Sequence, residues 1–258
     1  MSGLNMDTVK AKNGINWLKY ASPKTFYPLA GRLIPWFSAG AFLLIAYGLY
    51  LGLLVAPTDF QQGEGYRIIF VHVPAAWFSM FLYLLMAGYA VLGLVLNAKL
   101  SYMMAKAIAP TGAMFTLAAL VTGSFWGKPM WGAWWVWDAR LTSELILLFL
   151  YIGYFSLQSA IDDTNRADKA SAILAIVGAI NVPIIYFSVK WWNTLHQGST
   201  FFLTAAPKMP PAMYVPLLIM LLGFYLLAAA WVLYRTCTLI LQRERQSRWV
   251  QALLEKAP

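Results

Sequence analysis

The residues of this sequence best suited to ligand chemistry are its histidines and a cluster of tryptophans. His72 and His196 are the only two histidines among 258 residues, and five of the twelve tryptophans fall within positions 126–137. Tryptophans at the ends of membrane helices form a belt at headgroup depth, which needs one or two rings per helix end. The cluster is denser than such a belt, so it favours a platform for a large, planar, amphipathic ligand.

The spacing within the cluster predicts its local structure. Trp131, Trp134 and Trp135 are related as i, i+3 and i+4, so one helical turn would present them on a single face. Residues that favour turns and helix breaks interrupt the cluster, namely Gly127, Pro129 and Gly132. The sequence therefore predicts a short amphipathic helix lying flat in the membrane interface.

The two histidines are candidate metal ligands. An isolated loop histidine is usually solvated and inert, but both histidines are expected on the same side of the membrane as the tryptophan cluster. His72 lies just before the predicted second span, where Pro74 would fix the entry of the helix. Imidazole binds haem iron well, and two imidazoles can fill both axial positions. We therefore predict a haem held by His72 and His196, with its ring on the tryptophans.

The propionates of such a haem would face water and cationic side chains. The candidates on the same side of the membrane are Arg67, Lys128, Arg140 and Lys190, with Lys208 the weakest of the group.

The composition and hydropathy pattern predict an all-α polytopic membrane protein. Hydrophobic residues make up 60% of the chain and charged residues only 11%, whereas soluble domains are usually about a quarter charged. Apolar stretches long enough to cross a bilayer are predicted at about Leu33–Val55, Val73–Asn97, Ala107–Phe125, Leu141–Ile161, Ser171–Val189 and Ala212–Tyr234. Six transmembrane helices put both termini on one side of the membrane.

Basic residues indicate which side that is. Fourteen of the 19 lysines and arginines fall in the terminal segments and in the loops 98–106 and 162–170. By the positive-inside rule both termini are cytoplasmic, and the loops 56–72, 126–140 and 190–211 face outward. The net charge of +9 follows from this bias and requires no nucleic-acid partner. The predicted organisation is a cytoplasmic segment 1–32, a transmembrane domain 33–236 and a cytoplasmic tail 237–258.

Other polar residues have structural explanations. Asp138 precedes the fourth predicted helix as an N-cap, which is as good an explanation for it as ligand contact. Arg140 and Glu144 are spaced i, i+4 and would form an interfacial pair. The sequence Asn181-Val182-Pro183 predicts a kink in the fifth helix.

Several functional classes lack their signatures in this sequence. Cys237 is the only cysteine, which excludes an intramolecular disulfide and a c-type haem attachment site. No phosphate-binding loop motif occurs, and no charged relay runs through the helix interiors, as a proton-coupled transporter would need.

Three segments together resemble a known family. They are the cluster Trp126-Gly127, Trp131-Gly132 and Trp134-Trp135-Val136-Trp137-Asp138-Ala139-Arg140, the segment His72-Val73-Pro74-Ala75-Ala76-Trp77, and the segment ending Leu195-His196-Gln197-Gly198. The cluster resembles the WWD signature of the haem-handling membrane proteins of cytochrome c maturation. Within that superfamily, six spans and 258 residues are similar to the CcmC family, whereas larger relatives have many more spans. The resemblance covers about residues 30–236.

The resemblance implies a function that the residues alone do not give. CcmC-like proteins hold haem b at the outer face of the bacterial inner membrane and present it to the periplasmic haem chaperone CcmE. The ABC module CcmA/CcmB and the small protein CcmD then release the loaded chaperone. On this basis His72 and His196 are axial ligands, the WWD tryptophans contact the ring, and Arg140 or Arg67 meets a propionate.

Two alternatives remain beside this expectation. One is a transporter that moves haem through the helix bundle, and the other is a b-type cytochrome that carries electrons. In the leading interpretation the protein is a haem-transfer scaffold and not an enzyme.

Overall fold

The computed structural model describes residues 17–196 and 209–255, and this part of the chain is built from helices. Its α-helices are α1 (Pro23–Tyr50), α2 (Ile69–Leu96), α3 (Lys99–Trp131), α4 (Ala139–Ala160), α5 (Thr164–Gly178), α6 (Asn181–Trp191), α7 (Pro211–Arg243) and α8 (Arg248–Leu254). Short 3-10 helices cover Trp17–Ala21 and Glu64–Ile68, and a π-helical turn covers Leu51–Val55. The expectations for Lys208 and for residues 1–16, 197–208 and 256–258 lie outside the described residues.

The prediction of six transmembrane helices is confirmed. The spans are Pro23–Val55, Glu64–Leu96, Lys99–Trp131, Ala139–Ala160, Thr164–Trp191 and Pro211–Arg243. Helices satisfy every backbone hydrogen bond within the span, which a hydrocarbon layer requires. Four of the six are 33 residues long, or about 50 Å at 1.5 Å per residue, so they extend well beyond a hydrocarbon core of about 30 Å. The predicted boundaries were shorter because they followed only the apolar part of each helix.

The spans pack in pairs around a core rich in tyrosine. The α2–α3 and α1–α7 pairs have the most extensive contacts, and α4 packs on α3, α5 and α6. Tyr83 of α2 meets Tyr151 of α4 edge-on, with ring centroids 4.9 Å apart. Glycine permits this contact, since a Cβ at Gly112 or Gly178 would overlap a tyrosine hydroxyl. The close helix packing through small residues is typical of membrane bundles.

The bundle has two chemically different ends. The WWD end is defined by the connections at described residues 56–63, 132–138 and 192–196, and the terminal end carries the first and last described residues. At the terminal end, Arg243 of α7 forms a two-pronged ion pair with Asp168 of α5, with N–O distances of 2.6 and 2.8 Å. Gln158 of α4 donates a further hydrogen bond to Asp168. Three spans are therefore tied together at this end.

Loss of this ion pair should destabilise the bundle. Asp168→Ala leaves the partly buried guanidinium of Arg243 without its counter-charge, and we expect a cost of about 3–5 kcal/mol. Asp163→Ala is the control, because Asp163 caps α5 from an exposed position and its loss should cost about 1 kcal/mol. Thermal unfolding in detergent measures both. Equal unfolding temperatures for the two variants would contradict the role given to the ion pair.

Candidate functional site

His72 lies inside α2 and not before it. The chain is already helical through Glu64–Ile68, and α2 begins at Ile69, so the prediction that Pro74 begins the helix is wrong. Local polar contacts stabilise the earlier start, since the Arg67 side chain pairs with Glu64 and also donates to the Gly52 carbonyl at 2.6 Å. The helix accommodates Pro74 at the cost of one backbone hydrogen bond. The imidazole of His72 is thereby held against a neighbouring span.

One nitrogen of His72 is engaged by α3. His72 Nδ1 lies 3.1 Å from the Ala119 carbonyl oxygen and 3.0 Å from Thr122 Oγ1. The carbonyl can only accept, so Nδ1 carries the proton and donates it. The Thr122 hydroxyl donates to the Ala118 carbonyl at 2.6 Å, which leaves its lone pairs for Nδ1. With Nδ1 protonated, Nε2 of the neutral ring has a free lone pair and is the nitrogen suited to a metal.

The two histidines lie side by side at the WWD end. Their ring centroids are 6.2 Å apart, with an angle of 36° between the ring planes. Gly123 of α3 gives His72 its room, because a Cβ there would come within 3.1 Å of His72 Cε1. Trp126 lies next to this pair, with its ring centroid 6.4 Å from that of His196. The structure therefore brings together three predicted site residues from three separate segments.

His196 follows the fifth span, which is divided into two helices. Helix α5 ends at Gly178 and α6 begins at Asn181, which confirms the break predicted around Pro183. Asn181 is buried and its side-chain amide donates to the Ser143 carbonyl at 2.9 Å. Helix α6 ends at Trp191, and the following residues carry His196 against α2 and α3. His196 thus lies at the end of a short irregular stretch that follows α6.

The tryptophan segment is not a separate short helix. Helix α3 continues through Gly127 and Pro129 to Trp131, and residues 132–138 are irregular. Gly132 adopts a left-handed conformation with φ of 77°, which ends the helix and turns the chain. The prediction that Trp131, Trp134 and Trp135 share one helical face is therefore wrong, because a left-handed residue lies between the first and the other two.

The tryptophans divide into an inner and an outer group. Trp126 is 9% exposed and packs edge-on against Trp131 at 5.0 Å. Gly127 makes room for this contact, since a Cβ would lie 3.1 Å from the Trp131 ring. Trp134 and Trp137 are 54% and 77% exposed. In the inner group Trp126 lies next to His196, whereas the two outer rings are exposed.

Trp135 lies between these groups, at the head of an apolar groove. The groove runs between α3 and α4, has a volume of about 380 Å³ and is bounded at one end by Trp135 and Trp137. Two buried polar atoms near it, Trp135 Nε1 and Asp138 Oδ2, have no hydrogen-bond partner among the described residues. Buried polar atoms are rarely left unsatisfied, so these two are available to a ligand's polar groups.

Asp138 and Arg140 have structural roles at the start of α4. Asp138 Oδ1 accepts from the Leu141 backbone N–H at 2.8 Å, which confirms the predicted N-cap. Arg140 donates to the Ile185 carbonyl at 3.0 Å. Glu144 is buried and accepts from Ser79 at 2.6 Å, so the predicted Arg140–Glu144 ion pair is not formed. Ser79 lies 65 residues away along the chain, and no sequence spacing pointed to it.

The other predicted cations have contacts of their own. Lys128 donates to the Gly132 carbonyl at 3.2 Å, and the ammonium of Lys190 lies 5.6 Å from the Phe187 ring centroid. Arg67 lies over the Tyr66 ring at 5.6 Å. Arg140 is the cation whose helix directly follows the tryptophan segment.

Six helices long and apolar enough to cross a bilayer define the class as a multi-pass membrane protein. The family model for haem exporter protein C (CcmC) matches residues 16–251. The chain is 50% identical over 236 residues to haem exporter protein C of Escherichia coli K12, covering 92% of this chain and 95% of that one. It is 48% identical over 198 residues to a putative cytochrome c biosynthesis ccmC-like mitochondrial protein of Marchantia polymorpha, covering 77% and 84%. The chain belongs to the haem exporter protein C family.

The capping role of Asp138 gives a direct test of the site's architecture. Asp138→Ala removes the acceptor of the Leu141 N–H, and we expect about 1 kcal/mol of local destabilisation. Hydrogen exchange of the Leu141 amide should become about fivefold faster. Asp138→Asn retains an acceptor oxygen and should exchange nearly as the parent does. An unchanged rate in Asp138→Ala would show that the first turn of α4 does not depend on this cap.

Proposed function

We propose that this protein binds haem b at the WWD end of its bundle and presents it to the haem chaperone CcmE during cytochrome c maturation. Membership of the haem exporter protein C family supports a role in haem handling. The observation that carries the proposal for the site is the close approach of the His72 and His196 imidazoles.

The separation of the two imidazoles suits one iron atom between them. Metal–imidazole bonds are about 2 Å long, so two rings on opposite sides of one iron have centroids roughly 6 Å apart. The observed separation is 6.2 Å. The Nδ1 contacts of His72 with Ala119 and Thr122 leave Nε2 as the ligand atom, in the manner usual for metal-binding histidines.

The surrounding residues fit the rest of a haem. Trp126 lies beside the His196 imidazole and packs on Trp131, and Trp134 and Trp137 of the same segment are exposed. Arg140 has one identified hydrogen bond, to a carbonyl, and its remaining N–H groups suit a propionate. Arg67 is the second candidate and is more fully engaged, by Glu64 and Gly52. Bound haem is the cargo of this site, and these residues hold and orient it.

Exposure of the outer tryptophans supports hand-over to a protein acceptor. Trp134 and Trp137 present large aromatic surface at the edge of the site, and such surface is a common anchor for protein partners. The proposed setting is the bacterial inner membrane, with the WWD end in the periplasm, as the positive-inside count predicts. The CcmA/CcmB module and CcmD would act after loading, and the present chain would act as a scaffold without being an enzyme.

A second candidate is an electron-carrying b-type cytochrome. Such cytochromes hold their haem with histidines that lie within membrane helices. Because His72 lies within α2 and not in a loop, its placement favours the cytochrome candidate. The two functions differ in the fate of the haem. Incubation of haem-loaded protein with apo-chaperone and then with an electron donor separates them, because a scaffold loses its haem to the chaperone and a cytochrome retains it through redox cycles.

Removal of either histidine should change the coordination of haem. The parent protein should show a six-coordinate, low-spin visible spectrum, and His72→Ala and His196→Ala should each lose one axial ligand. Added imidazole should restore the low-spin spectrum by occupying the space left by the missing ring. Unchanged spectra in both variants, before and after imidazole, would rule out the two histidines as ligands.

Replacement of the outer tryptophans should weaken haem retention without affecting membrane insertion. Trp134→Ala and Trp137→Ala each remove an aromatic contact of about 0.5–1.5 kcal/mol, so haem loss should be roughly two- to tenfold faster. Replacements at Trp131 and Trp135 should act in the same direction. Trp36→Ala on α1 is the control, since Trp36 is 77% exposed. A fall in protein level for the WWD variants, with no change in haem loss, would indicate an interfacial anchor in place of a ligand surface.

A further inference from the structure

The first connection at the WWD end, residues 56–63, contacts the tryptophan segment through the Gln62 side chain. Gln62 Oε1 accepts a hydrogen bond from Trp126 Nε1 at 2.9 Å, across 64 positions of sequence. This indole is 9% exposed, so its N–H has little access to water. A buried indole N–H normally has a partner, and Gln62 provides it.

The position of Gln62 is itself fixed by a hydrogen-bonded turn. Asp59 Oδ1 accepts from the backbone N–H groups of Gln61 and Gln62 at 2.9 and 2.8 Å. The backbone N–H of Gly63 donates to the Asp59 carbonyl at 3.0 Å, and Gly63 takes a left-handed φ of 57°. An aspartate that bonds two following amides is a rigid local turn. This turn therefore fixes the backbone that carries the side-chain amide of Gln62.

One further contact closes this unit internally, and another places it against the bundle. The Tyr66 hydroxyl donates to the Pro57 carbonyl at 2.6 Å, and Tyr66 is buried. Gly65 lies against the end of α3, where an added Cβ would approach the Met130 methyl at 3.3 Å. Residues 57–66 thus form one hydrogen-bonded unit against α3. The Gln62 side chain connects this unit to Trp126, which lies next to the histidine pair.

Trp126 connects this unit to the ligand site. Its ring contacts Trp131 edge-on at 5.0 Å and lies 6.4 Å from His196 at an angle of 52°. A ring held only by packing can rotate about its side-chain bonds, whereas a hydrogen bond at Nε1 fixes its rotation. The ring whose rotation this hydrogen bond restricts is thus a neighbour of the His196 imidazole.

We propose that Gln62 is a positioning residue for the haem site, acting through the Trp126 indole to set the orientation of His196. This inference rests on the proposed haem function. It adds the 57–66 unit to a site otherwise built from α2, α3, the WWD segment and the chain after α6. In this proposal Gln62 contacts neither the iron nor the macrocycle of haem, and it acts through Trp126.

The first experiment measures haem release from the loaded protein to excess apomyoglobin. In Gln62→Leu the indole N–H loses its acceptor, and release should be about fivefold faster, as expected for the loss of one hydrogen bond. Gln62→Glu retains an acceptor oxygen and should release haem within about twofold of the parent rate. Gln61→Leu is the matched control at the adjacent, exposed glutamine, and it should match the parent.

A double-variant comparison tests the route of the effect. Trp126→Phe keeps a ring but removes the N–H donor. If Gln62 acts through that donor, Gln62→Leu should cause no further change in release in the Trp126→Phe background. A full fivefold effect in that background would overturn the proposed route, and equal rates for Gln62→Leu and Gln61→Leu would overturn the positioning role.

A haem-free measurement separates this proposal from the proposed function. In haem-free Gln62→Leu, the indole N–H resonance of Trp126 and the ring resonances of His196 should shift relative to the parent, while those of His72 should not. Unchanged His196 resonances would overturn the positioning role even if the parent binds haem. A parent that shows no histidine-ligated haem would overturn the proposed function, and the shifted resonances would still report the Gln62–Trp126–His196 connection.

Discussion

Hydrocarbon offers the protein backbone no hydrogen-bond partner, and this constraint shapes the whole chain. Each span forms its backbone hydrogen bonds within itself as a helix, except where proline interrupts them. The bundle interior is therefore mainly packing among aromatic and small residues such as Tyr83, Tyr151 and Gly178, with a few buried polar pairs such as Ser79 and Glu144. More polar chemistry is found at the ends, where water is close. The terminal end uses it for an ion pair between Asp168 and Arg243. The WWD end uses it to hold two imidazoles and an indole in fixed relations.

At the WWD end, rigid helices supply the atoms that orient the side chains of the candidate site. The His72 ring is fixed by a backbone carbonyl and a hydroxyl of α3, both on a helix packed along the length of α2. Trp126 is on the same helix as those atoms. A site built on spans is more precisely held than one built on loops. His196 is the exception, since it follows α6 on a short irregular stretch.

Features determined by local sequence were predictable, and features determined by long-range contacts were not. The six spans, the break before Asn181 and the Asp138 cap follow from hydropathy, proline and capping chemistry within a few residues. The spacing of Trp131, Trp134 and Trp135 predicted a helical face that does not exist, because periodicity carries no information about where a glycine turns left-handed. The orientation of the spans relative to the membrane stays a prediction.

The hydrogen-bond partners of residues in and around the site were the features that the sequence did not predict. Gln62 bonds to Trp126, Thr122 lies against His72, and Ser79 bonds to Glu144, in each case from at least 50 positions away. Gln62 and Thr122 are ordinary polar residues in a loop and within a helix, and nothing in their spacing distinguishes them. The packing of α2 on α3, the contact of α2 with α4, and the packing of the first connection on α3 bring these pairs together.

Because the fifth span is broken, the position of the far end of α6 depends on the angle at the break. An 11-residue helix is about 16 Å long, so each degree of tilt about the junction at 178–181 moves its far end by about 0.3 Å. The anchor at that junction is the hydrogen bond from Asn181 to the Ser143 carbonyl, on the same helix that begins beside the WWD segment. A change in that angle would also move the residues that follow Trp191 and carry His196 to His72.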